Sequence, residues 1–99
     1  MKAQVQVPQT YQKDLHRAVE ILAAAGCTHV FLFGSLATGR IREGTDIDLA
    51  VRGCPRGNYF RLLGRLLLEL DHPVDLVDLD KEDAFARHLA QEGELLQIG

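Results

Sequence analysis

Cysteine is scarce in this chain. Cys27 and Cys54 are the only two in 99 residues, and they stand far apart with no metal-ligand spacing. That excludes a thiolate zinc site and argues against a disulfide framework. The expectation is two buried or idle thiols in a reducing compartment. No stretch is long and apolar enough to span a bilayer, and Val30-Phe31-Leu32-Phe33 is only strand-sized. The first residues are polar through Gln4, Gln6, Gln9 and Gln12, without the apolar block of a signal peptide. We therefore expect a cytoplasmic protein with no membrane partner. An excess of positive charge is missing too. The formal net charge is -3, which gives no support to direct nucleic-acid binding through phosphate contacts. Internal repeats, low-complexity segments and linkers are also lacking.

What is present fits one small domain. Apolar residues make up 46% and charged residues 25%, an ordinary globular balance. Residues 1–10 read as a lead-in, and 11–99 as a single domain. Tyr11 to Ala25 carries Leu15, Ala18, Val19, Leu22 and Ala25 at helical spacing, with Thr10 as cap and Gly26 beyond the end. His29 to Phe33 reads as a buried strand. Gly34 to Thr45 is a loop or short helical turn. Asp46 to Val51 alternates with strand periodicity. Asn58 to Leu70 is a helix with a broad apolar face that includes Tyr59, Phe60, Leu62, Leu63, Leu66, Leu67 and Leu70, leaving Leu68 as a lone exposed leucine. Val74 to Leu79 is a third strand. Asp80 caps a last helix, Lys81 to Glu92, and the tail from Glu94 has the length for a final extended segment. The order α-β-β-α-β-α implies an α+β fold, a short mixed sheet with helices packed mainly on one face.

Chemistry concentrates in the middle. Asp46 and Asp48 are two apart in a strand, so their carboxylates share one side and repel. In the plain reading this is an edge strand with both acids in water. In the functional reading the pair binds Mg²⁺, which takes oxygen ligands from one or two carboxylates plus substrate phosphates. Upstream, a buried strand runs into Gly34-Ser35 and a glycine-containing turn. Small residues there let backbone N–H groups approach an anion, and the Ser35 hydroxyl adds a donor. Asp75, inside the apolar run Val74-Asp75-Leu76-Val77, would need a partner if buried. Were its strand beside the first acidic one, it would join Asp46 and Asp48. Asp78 has the opposite parity. His16, His29, His72 and His88 are scattered and read as structural or surface residues.

Gly34-Ser35, the ten residues Leu36 to Thr45, then Asp46-Ile47-Asp48 resemble the signature of the DNA polymerase beta-like nucleotidyltransferase superfamily. The chain is similar in length to its minimal members. The resemblance implies a polymerase beta palm-like fold. It implies that Asp46, Asp48 and Asp75 are the catalytic acids and hold two Mg²⁺ ions, and that Gly34, Ser35 and Arg42 bind the nucleotide. It further implies transfer of AMP from ATP to a tyrosine hydroxyl of a small helical toxin of the HEPN type, with this chain as antitoxin. The alternative is a weak or inactive module that neutralises its partner by binding. Many relatives carry Arg where Thr38 stands, so Arg40 or Arg42 would have to supply that charge. Homo-oligomers are left open.

Overall fold

The computed structural model describes residues 7–99. Helix α1 spans Gln9–Ala24. It starts two residues before the expected Tyr11, because Pro8 is extended and its carbonyl accepts from Tyr11 and Gln12 N–H. Thr10 is therefore inside the helix and is not its cap. Of the expected lead-in, residues 1–6 lie outside the described residues, and Gln9 and Thr10 belong to α1.

Four strands follow: β1 His29–Phe33, β2 Ile47–Arg52, β3 Val74–Asp78 and β4 Leu96–Gln97. A short helix α2, Ser35–Thr38, sits between β1 and β2, and α3, Tyr59–Glu69, joins β2 to β3. Helix α4, Ala84–Glu92, precedes β4. The sheet order is β3-β2-β1-β4. β1 is antiparallel to β2 and β4, whereas β2 and β3 are parallel. A parallel pair needs a long crossover, which α3 supplies. The tail thus becomes a fourth strand.

Alternation along the strands sorts the residues onto two faces. Val30, Leu32, Ile47, Leu49, Val51, Val74 and Leu76 meet Ala18, Ile21 and Leu22 of α1 and Leu62 and Leu66 of α3. The opposite face carries a smaller cluster, Ala50, Leu79 and Leu89, with Phe31, Phe33, Val77 and Leu95 around it. The acids lie on this second face, at strand positions that alternate with the main core.

Three expectations are corrected. α3 buries a narrower stripe than its leucines suggest: Phe60 is 79% exposed, Leu67 52% and Leu68 89%. A helix resting on one sheet covers only the side through Leu62 and Leu66. The last helix begins at Ala84 and is capped by Asp83, whose carboxylate accepts from Ala86 N–H at 2.8 Å. Asp80 instead accepts from Gly53 N–H at 2.7 Å. Finally, Cys27 and Cys54 form a disulfide. They are 27 residues apart, but the β1–β2 register that pairs His29 with Arg52 runs on to bring Cys27 opposite Cys54. Separation along the chain hid a cross-strand pair. Among the described residues, no helix is long and apolar enough to cross a membrane.

Candidate active site

β2 is central, flanked by β1 and β3, so its acids are not on an edge strand. Asp48 is half-buried and lies in register with Asp75 of the neighbouring parallel strand. In-register residues of paired strands project to the same face, so these two carboxylates stand side by side. Asp46 immediately precedes β2 and is exposed. Asp75 is itself exposed on the edge strand, so the burial cost expected for it does not arise.

The crowding has an electrostatic signature. Burial, then the nearby charges of Asp75 and Asp46, push the Asp48 carboxyl above its ordinary range. Like charges disfavour ionisation, and a cation between them would reverse that. Among the described residues no group of three or more His, Cys, Asp or Glu side chains converges as a ready-made metal cage.

Gly34 completes the turn opposite. Its φ of 74° lies in the region glycine tolerates. A second reason is steric: a Cβ on Gly34 would collide with the Asp48 carboxylate. The glycine is therefore what lets the β1–α2 turn close over that acid. Ser35 follows as the first residue of α2. Gly34 C=O accepts from Ala37 and Thr38 N–H, both at 3.1 Å, and Ser35 C=O from Arg40 N–H at 3.0 Å. The Thr38 hydroxyl turns back onto the carbonyls of Gly34 and Ser35, at 3.3 and 3.4 Å. It braces the turn and supplies no charge. Arg40 and Arg42 are exposed and, among the described residues, form no ion pair. Arg42 N–H donates to Thr45 Oγ1 at 2.8 Å, closing the loop that leads into Asp46.

The structure thus sets Asp48 beside Asp75 in register, with Asp46 two residues before Asp48, Gly34 against Asp48 and Ser35 next in the chain. Arg42 stays on the loop and, among the described residues, makes no ion pair with the acids. Two neighbours escaped the sequence reading. Tyr59 donates to Leu76 C=O, and burial, Asp75 and Asp78 together push its phenol up. Lys81 Nζ sits 5.3 Å from the ring centroid of the part-buried Tyr59, a cation–π pair. Nothing local marks either residue, because α3 and the β3–α4 turn meet only in the fold.

A family model described as polymerase beta, nucleotidyltransferase matches residues 17–98. No curated protein matches. Among solved structures, the chain is similar to one named for a minimal nucleotidyltransferase, at 26% identity and a TM-score of 0.65, covering 90% of this chain and 95% of that one. It is also similar to a toxin–antitoxin crystallised with AMP-PNP, at 24% identity and a TM-score of 0.61, covering 85% of this chain and 70% of that one. A third is the toxin–antitoxin MntA-HepT, at 23% identity and a TM-score of 0.59, covering 85% and 69%. At those two identities the likeness is one of fold.

Proposed function

Because the chain belongs to the polymerase beta nucleotidyltransferase family, we propose that it transfers AMP from ATP to a hydroxyl, a tyrosine of a HEPN-type helical toxin, and so acts as that toxin's antitoxin. The observation that carries this reading is the in-register pair Asp48 and Asp75, with Asp46 beside them and Gly34 closed onto Asp48. An open set of acids suits Mg²⁺, which keeps part of its coordination for substrate phosphates and is not held in an all-protein cage. Asp46, Asp48 and Asp75 would hold two such ions. When bound, the metal offsets phosphate charge and polarises the reacting phosphoryl group.

The chain's own residues then have defined work. Among the described residues Ser35 and Leu36 N–H have no backbone partner and, with the Ser35 hydroxyl, can donate to phosphate oxygens. Arg42, on the loop that leads into Asp46, would supply a cation for the nucleotide phosphates. The acceptor hydroxyl attacks the α-phosphorus, its oxygen–phosphorus bond forms, and the bond to pyrophosphate breaks. Asp75, the exposed acid, takes the hydroxyl proton. Catalysis is then mostly positioning and charge stabilisation. The toxin–antitoxin relatives support the partner class.

The test is incubation with Mg²⁺, ATP labelled on the α-phosphate and a HEPN-type helical toxin as partner. Label is expected on a partner tyrosine and lost in Asp46→Ala and Asp48→Ala. An unlabelled partner with the unmodified chain would sink the proposal. One observation favours the inactive-module reading: Thr38 stands where many relatives carry Arg, and its hydroxyl is tied to the turn. Neutralisation of the partner that survives Asp48→Asn would select that reading.

A further inference from the structure

Asp14 is the one charged residue buried in the described structure, at 3% exposure. It sits on α1 at a position whose helical neighbours, Tyr11, Ala18 and Ile21, face the core. A buried carboxylate is costly unless well partnered, and an apolar side chain often serves stability as well. Here the partners are complete. Asp14 accepts from Asp71 N–H at 3.0 Å and His72 N–H at 2.9 Å, and its Oδ2 lies 2.8 Å from His72 Nδ1. Burial pushes the carboxyl up, but the Asp71 and His72 donors outweigh it and hold the group below its ordinary range. The His72 ring stacks on Tyr11, centroids 3.9 Å apart. Tyr11 O–H in turn donates to Thr45 C=O at 2.7 Å.

Both ends of this chain of contacts lead to the site. Thr45 is the residue before Asp46. Asp71 and His72 introduce Pro73 and β3, which carries Asp75. Pro73 C=O accepts from Ile47 N–H at 2.9 Å, tying the two strand starts together. The first turns of α1 therefore grip the segment leading to Asp46 and Asp48 with one side chain, and the segment leading to Asp75 with another.

We propose that Tyr11, Asp14 and His72 form a positioning clamp that sets the spacing of Asp46 and Asp48 relative to Asp75, and thereby the affinity of these acids for a divalent cation. It rests on the reading of the three acids as a metal-holding set. None of the clamp residues touches the reacting atoms. The observable consequence is that cation affinity should depend on one remote hydroxyl.

The test is Mn²⁺ binding, followed by electron paramagnetic resonance, in the full chain and in Tyr11→Phe, Asp14→Asn and Leu15→Ala. Tyr11→Phe keeps the ring stack and removes only the bond to Thr45. It should weaken Mn²⁺ binding roughly fivefold, the scale of one hydrogen bond, and Asp14→Asn at least as much. Leu15→Ala is the control: it loses packing on the same helix, lowers the melting temperature and leaves Mn²⁺ affinity unchanged. Unaltered affinity in Tyr11→Phe, or an equal loss in Leu15→Ala, would overturn the clamp. Absence of Mn²⁺ binding in the unmodified chain would sink the metal reading instead. The clamp is then judged by amide exchange at residues 45–48 and 74–76. Faster exchange in Tyr11→Phe, with no change in Leu15→Ala, upholds it, and unchanged exchange in Tyr11→Phe overturns it.

Discussion

Asp48 is held in a conflict. Its backbone belongs to the central strand, its carboxylate is half-buried, and two like charges face it. The folded state therefore penalises its ionised form, so its carboxyl is raised above the unfolded value. The sign follows from linkage: the folded protein has full stability below the unfolded pKa and loses some as pH rises through the folded one. At neutral pH Asp48→Asn should accordingly raise the metal-free melting temperature by a few degrees, and it should abolish AMP transfer assayed with Mg²⁺. Thermal melts at pH 7 with and without Mg²⁺ check this, and Mg²⁺ should stabilise the unmodified chain more than the variant. A lower melting temperature in metal-free Asp48→Asn would show that the acid is structurally required. Gly34 is the partner of that conflict, since any side chain there would strike the same carboxylate.

The helices differ in how much of their apolar surface the fold uses. On α3, Leu66 is fully buried against the sheet, whereas Leu68, two residues on, is 89% exposed. Leu66→Ala should cost about 2–5 kcal/mol from lost burial and the cavity left behind. Leu68→Ser should change stability by no more than about 0.5 kcal/mol. Urea denaturation of both variants makes the comparison, and similar losses would contradict the described packing of α3. The β1–β2 ladder carries the second element-scale expectation. Standing 27 positions apart, the linked cysteines restrict the unfolded chain, and replacing both by serine should cost about 3–4 kcal/mol under oxidising conditions. The same substitution should have little effect in dithiothreitol. A melting temperature insensitive to the reductant would remove the disulfide from the account.

In the whole molecule, one sheet divides two environments. Its main-core face takes α1 and α3, and its other face holds the acids, with α4 covering only the part near Ala50. Among the described residues, α4 does not reach the acidic end of β2 and β3. α1 reaches both strands at that end through Tyr11 and Asp14. Stability and site geometry are therefore coupled through the first helix.

Much of this was legible in the chain by itself. Alternation located β2 and put Asp46 and Asp48 on one parity, because side chains in a strand repeat every second residue. The Gly34-Ser35 turn and its spacing to the acids were visible for a similar reason: they are local. The tertiary structure alone decided what depends on strand order. It made β2 central and β3 an edge, set Asp75 in register with Asp48, and placed Cys27 opposite Cys54. It drew Asp14 and His72, 58 residues apart, into one hydrogen-bonded pair. The physical reason is that periodicity records which way a side chain points along its own element, while register between elements is fixed by packing and ladder hydrogen bonds across the fold. Asp14 did leave one trace, a carboxylate at a core-facing position of an otherwise apolar stripe, but what it held could be known only once Asp71 and His72 were folded against it.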